Sequence, residues 1–166
     1  MKPWSVPCFR PLFSGATASN IATTAIGQGA LASGVSATAV GQDTAAIGDY
    51  SLASGQGALA SGLNSSAVGQ SSLASGSSAT SLGQSASASG RKVTAIGQSA
   101  NASGDYSTPV GQGAASSGEG STALGLSSRA AGVNTLSLGN GAFSSEANGR
   151  CQPHMDSHFK DKLFFT

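Results

Sequence analysis

Charged side chains are scarce in this chain of 166 residues. They make up 9% of it, and eight Lys and Arg against seven Asp and Glu leave a formal net charge of +1. Such a balance offers no basic stripe to a phosphate backbone and no acidic tail, so no nucleic-acid partner is expected. Long apolar runs are missing as well. No stretch approaches the roughly 20 consecutive apolar residues of a membrane-spanning helix, and direct membrane insertion by this chain is not expected. The N-terminus, from Met1 to Arg10, begins with a cation, but Pro3, Pro7 and Arg10 interrupt its apolar character, which makes it a poor secretion signal. Aromatic residues are 5% of the chain, too few for an ordinary globular core.

Groups that do chemistry are equally sparse. The two histidines, His154 and His158, stand four residues apart in the tail with no third ligand in sight, so no metal site is expected there. Asp43, Asp49 and Asp105 are scattered, unlike the one aspartate per turn of calcium-binding rolls. Glycines at a fixed spacing, without the Lys-Ser/Thr ending of a phosphate loop, do not make a nucleotide site. No catalytic residue, no cofactor and no enzymatic activity are expected. Cys8 and Cys151 lie at opposite ends of the chain, where an elongated fold would hold them apart. That disfavours a bridge within the chain and leaves unpaired thiols or a bridge between chains.

What the chain does have is glycine in a fixed frame. From Gly27 to Gly139 one falls at every seventh residue, and seventeen of the twenty-four glycines sit in that frame. Fixed self-similarity of this kind marks a solenoid. With the framed glycine as position seven, two flavours of heptad alternate. One ends in an aliphatic before its glycine, as in Thr24-Ala25-Ile26-Gly27, and the other in a small residue, as in Leu73-Ala74-Ser75-Gly76. The true period is therefore fourteen. The aliphatic sixth position returns as Ile26, Val40, Val68, Leu82, Ile96, Val110, Leu124 and Leu138.

A helix is excluded on residue type. Gly in each heptad costs about 1 kcal/mol every time relative to Ala, and no second apolar position accompanies the first to form a coiled-coil seam. A flexible linker has no reason to hold register for more than a hundred residues. Strand periodicity fits: positions three and five hold only Ala, Ser or Thr apart from Val93 and Pro109, while positions two, four and six vary in bulk. The expected fold class is all-β, a parallel β-roll of fourteen-residue coils with two strands per coil and a narrow interior at positions three and five. Framed glycines then supply turns with backbone angles closed to other residues, and Gly27, Gly41, Gly69, Gly83, Gly97, Gly111, Gly125 and Gly139 mark those of the aliphatic flavour. Residues 14–146 form the repeat region, between flanks 1–13 and 147–166. At about 4.8 Å per coil, the nineteen heptads predict a rod about 45 Å long.

An interior of Ala and Ser buries about one methyl per residue, which is marginal against the entropy of ordering the chain. The position-six aliphatics, joined at position four by Thr24, Thr38, Thr80, Thr94, Thr108 and Thr122, point outward in one continuous stripe. Such a stripe marks an interface, and a closed symmetric ring of copies is the default way to cover it.

These residues resemble the head repeat of trimeric autotransporter adhesins, the YadA-like head. Its signature reads here as Thr23-Thr24-Ala25-Ile26-Gly27, Ala37-Thr38-Ala39-Val40-Gly41, Ser65-Ser66-Ala67-Val68-Gly69, Val93-Thr94-Ala95-Ile96-Gly97 and Ser121-Thr122-Ala123-Leu124-Gly125. The resemblance implies a left-handed roll, a homotrimer with the eight aliphatics at its interface, and a place at the tip of a bacterial surface fibre that attaches to host matrix or cells. It implies a cell-surface, outer-membrane location for a full-length member. A complete member would also carry a secretion signal, neck, coiled-coil stalk and membrane anchor, none visible in these 166 residues, so a head fragment is expected. The competing function is a structural spacer or coat rod with no ligand of its own.

Three local features carry further expectations. The flavours swap for one coil: Ile47 stands where a small residue is due and Ser54 where an aliphatic is due. A break in the stripe at Ser54 is expected, with Ile47 on the opposite face. Tyr50 and Tyr106 sit in matching Asp-Tyr-Ser triplets and are candidate ligand contacts, or else cover a neighbouring strand or chain. The threonine row resembles an ice-binding face but lacks its second threonine two residues on. Trp4, Phe9 and Phe13 at one end, and Phe143, Phe159, Phe164 and Phe165 at the other, are the bulky candidates for capping the open strand edges.

Overall fold

The computed structural model describes residues 15–147, and Trp4, Cys8, Phe9, Phe13, Cys151, His154, His158, Phe159, Phe164 and Phe165 lie outside them. Within this range the chain winds through nineteen short strands, from β1 (Thr17–Ala18) to β19 (Phe143–Ser144), with no helix among the described residues. Each heptad contributes one strand. Two-residue strands such as β5 (Ala45–Ala46) alternate with three-residue strands such as β6 (Leu52–Ser54). The two-residue strands stack into a ten-stranded sheet, and the three-residue strands into a nine-stranded sheet. All pairings are parallel and join residues fourteen apart, as in Thr24↔Thr38 and Ile26↔Val40. The expected two strands per fourteen-residue coil is what forms.

The interior follows from the period-two alternation. From Thr23 to Ser144, every residue at positions three and five is buried. Most are Ala or Ser, and the exceptions Val93 and Pro109 are buried as fully as the rest. Pro109 leaves a mark: β12 (Thr94–Ile96) and β14 (Thr108–Val110) pair only at Ile96↔Val110, because the proline has no N–H to give the ladder.

Backbone hydrogen bonds continue around the corners. At most corners a β-turn forms in which the position-three N–H donates to the framed glycine carbonyl, as from Ala37 to Gly34 at 3.2 Å. The corners are also tied to the preceding coil. Tyr50 N–H donates to the Val35 carbonyl at 2.7 Å and Gly41 N–H to the Ile26 carbonyl at 2.7 Å. With small side chains inside, this ladder carries most of what fixes one coil on the next.

The framed glycines turn out to do two jobs. Those after the three-residue strands lie at positive φ, such as Gly83 at 138°, a region that L-residues essentially never occupy. Those after the two-residue strands are not at positive φ. There glycine is required by close stacking: a Cβ on Gly76 would fall on the carbonyl oxygen of Gly90 in the next coil. The expectation that every framed glycine serves an unusual backbone angle is corrected for this second row. The left-handed residue of every corner is instead at heptad position two. Ser36, Asp43, Tyr50, Asn64, Lys92 and Tyr106, among others, have φ between 53° and 59°.

The flavour swap at Ile47 and Ser54 changes side chains without shifting the backbone. Ser54 pairs with Val40 and Val68 inside the nine-stranded sheet, and Gly55 keeps the positive φ of its row at 127°. Ile47 is exposed on the other side of the roll, following β5. Register with the coils above and below decides the phase, because a slip would turn each side chain to the wrong face.

Candidate functional site

The outer face of the nine-stranded sheet bears the row Ile26, Val40, Ser54, Val68, Leu82, Ile96, Val110, Leu124 and Leu138, each residue beside the next in register or one strand along. Beside it runs the position-four row, with Thr24, Thr38, Thr80, Thr94, Thr108 and Thr122 half-buried. Five of the aliphatics are exposed in the single chain, Leu82 at 45% and Leu138 at 49% among them, and Ile26, Val68 and Val110 are half-buried. All eight aliphatics singled out from the sequence thus share one face, with the expected gap at Ser54. Sequence reasoning missed that Leu52, at position four of the same strand, and Leu136 near the end return aliphatic bulk to this face. The signal was a leucine at position four in two of the three strands that lack the threonine, the third holding Ser66.

The outer face of the ten-stranded sheet differs along its length. Leu31, Ala45, Leu59 and Leu73 follow one another in register in the first half, next to exposed Ile47. Further on the same column becomes Ser87, Asn101, Ala115 and Arg129 before ending at Phe143. Phe143 is 55% exposed on that outer face.

Two edges join the faces. On one edge six glutamines, Gln42, Gln56, Gln70, Gln84, Gln98 and Gln112, form a ladder. From Gln56 onward, each Nε2 donates to the Oε1 of the glutamine one coil earlier, at 3.3, 3.2, 3.0, 2.9 and 2.8 Å in turn. Sequence reasoning missed this ladder, although glutamine at a fourteen-residue spacing was there to be read. On the opposite edge lie Tyr50 and Tyr106, in corners built alike. Asp49 Oδ1 accepts the Val35 N–H and Asp105 Oδ1 accepts the Arg91 N–H, both at 2.8 Å, so each aspartate clamps its corner to the coil before. Arg91 also pairs with Asp105 at 3.3 Å and lies 5.2 Å from the centre of the Tyr106 ring, with Lys92 at 5.8 Å. Among the described residues no group of three or more His, Cys, Asp or Glu could hold a metal ion.

Only some of the interior hydroxyls find a partner. At position three, Ser121 Oγ donates to the Gly118 carbonyl at 2.7 Å, and Thr135 Oγ1 to the Gly132 carbonyl at 2.8 Å. Ser51, Ser65, Ser72 and Ser107, also at position three, and Ser81, Ser116 and Ser137 at position five are buried with no hydrogen-bond partner. These hydroxyls add cost, not chemistry, since nothing near them is charged or basic.

A parallel β-solenoid of fourteen-residue coils, with one aliphatic face and no catalytic constellation among the described residues, is a structural class suited to display and contact. The YadA head domain repeat matches residues 15–44, 46–72, 74–97, 94–114 and 116–142, and the chain belongs to that family. No curated protein matches the chain. Among solved structures, the crystal structure of the collagen-binding domain of the Yersinia adhesin YadA is similar to it, with 25% sequence identity and a TM-score of 0.73. The likeness covers 83% of this chain and 84% of that one. Family and fold together support an adhesin role and imply a non-enzymatic one.

Proposed function

We propose that the chain is the head of a bacterial surface adhesin, assembled as a homotrimer and attaching to extracellular matrix, with collagen among its targets. One observation carries the assembly: the nine-stranded face presents an aliphatic in every one of its nine strands, exposed or half-buried in the single chain. Covering a Val, Leu or Ile side chain contributes about 1.5–3 kcal/mol, more than any side chain of the narrow alanine interior can. A partner of equal length and equal period covers such a row best, and another copy of this chain meets both conditions. Closed rotational symmetry treats every stripe alike, and three is the number that the family resemblance implies. The eight aliphatics from Ile26 to Leu138, together with Leu52 and Leu136, form the contact.

The likeness to a collagen-binding domain supports matrix attachment through the surfaces that assembly leaves open. Those surfaces repeat at about 4.8 Å per coil, so weak contacts recur along each rod and around the ring. Such a domain works at the cell surface, joined to the rest of a full-length adhesin. A solid-phase assay with the purified chain against collagen, fibronectin and laminin tests the binding. Saturable binding to collagen is the expected result. Absence of saturable binding to any of them favours the spacer function instead.

A further inference from the structure

The glutamine ladder is the longest run of one side chain on the outside of the roll. Position one of that edge is glutamine in every coil from Gln28 to Gln112, whereas on the opposite edge it changes at each step, as from Ser77 to Arg91, Asp105 and Glu119. All six bonded glutamines are exposed, and beside Gln56, Gln70 and Gln84 stand only Gly57, Ser71 and Ser85. The ladder therefore covers nothing apolar. It also returns little to the fold, because ordering a long side chain costs about as much entropy as an exposed hydrogen bond gives back. What the ladder secures is a row of amides already set in one direction, and such preorganisation favours binding.

Each amide from Gln56 to Gln98 uses one N–H and one oxygen lone pair within the ladder and keeps one of each for a partner. No charged residue stands at positions one or two of this edge between Gln56 and Leu126, so a partner is met by neutral hydrogen bonds. These groups recur at about 4.8 Å, the spacing of stacked strands. That period discriminates among partners. An extended peptide lying along the rod presents same-side groups about 6.6 Å apart and falls out of step within two coils. A polyproline II strand, with one turn in about 9.3 Å, meets every second rung at best. A cross-β fibril stacks its strands at about 4.7–4.8 Å, the step of the roll itself, and Asn and Gln side chains form ladders of the same kind on it. We propose that the glutamine edge docks the flank of a cross-β fibril bearing its own row of Asn or Gln, amide on amide. The two rows stay in step over all six rungs, so weak neutral bonds add along the rod. The edge lies round the corner from the aliphatic row of the nine-stranded face, and neither assembly nor collagen binding enters into this assignment.

The test is co-sedimentation of the full chain with preformed fibrils of a glutamine homopolymer. Fibrils of an alanine homopolymer are one control, and the unassembled glutamine peptide, added as competitor, is the other. Binding to the glutamine fibrils alone is expected, undisturbed by the competitor. Gln70→Ala combined with Gln84→Ala removes the two middle rungs and is expected to weaken binding about tenfold. Ser77→Ala, on the opposite edge, is expected to leave it unchanged. The melting temperature and the mass in solution of both variants are expected to stay close to those of the parent chain, which separates docking from a structural role. Equal binding to alanine fibrils, full competition by the unassembled peptide, undiminished binding of the double variant, or failure to bind either fibril overturns the assignment. A mass in solution that drops in the double variant overturns it too, by showing that a second copy of the chain covers the ladder. Fibril binding that persists where the collagen assay fails removes the matrix reading and leaves this one standing.

Discussion

On the nine-stranded face every strand offers an aliphatic, and where position six fails at Ser54, Leu52 supplies one from position four of the same strand. The ten-stranded face keeps no such rule: its leucines at 31, 59 and 73 give way to Ser87, Asn101 and Arg129. Both faces cover the same alanine interior and obey the same register, so folding of a single coil does not explain the difference. A requirement that holds along the whole rod points to a partner as long as the rod. A requirement that lapses half way points to a surface that is free to vary.

Charge placed on the two faces separates them most strongly. Leu82→Asp is expected to abolish assembly, because a carboxylate buried without a partner in an apolar interface costs several kcal/mol. Leu73→Asp, on the ten-stranded face, is expected to leave the mass in solution unchanged. Next in size are the glycine rows. Gly76→Ala puts a methyl on the Gly90 carbonyl, and a loss of about 3 kcal/mol is expected from urea unfolding. Ser81→Ala goes the other way: removing a buried hydroxyl without a partner, between Ala67 and Ala95 in register, is expected to stabilise by about 1 kcal/mol. Ser54→Val, which fills the gap in the stripe, is expected to raise the melting temperature of the assembly by a few degrees and that of the monomeric Leu82→Asp variant hardly at all. Gln70→Ala cuts an exposed ladder with bonds to both neighbours, at an expected cost of about 0.5 kcal/mol by the same unfolding measurement.

Much of this was legible in residue order. Glycine at every seventh position, small residues at positions three and five, and aliphatics on a fourteen-residue period are direct imprints of coil length, interior width and face. The swap at Ile47 and Ser54 was legible for the same reason. The left-handed corner was harder to see, because any residue with a short polar side chain serves there and Tyr50, Lys92 and Tyr106 blur the pattern further. Ser, Asn, Asp and Gly at position two were the available hint. The aspartate clamps depend on one side-chain oxygen reaching an N–H fourteen residues earlier, which spacing alone does not reveal. The two roles of framed glycine were hidden because the residue is the same in both rows: a forbidden φ at Gly83 and a crowded neighbour at Gly76 leave identical letters.

The comparison of faces comes down to whether the nine-stranded face is covered by other copies of the chain. Light scattering on the purified chain measures this directly. A mass near three times the 16.0 kDa of one chain, falling to that of one chain in Leu82→Asp, is the predicted result. A folded, stable particle of 16.0 kDa with Leu82 intact would contradict it.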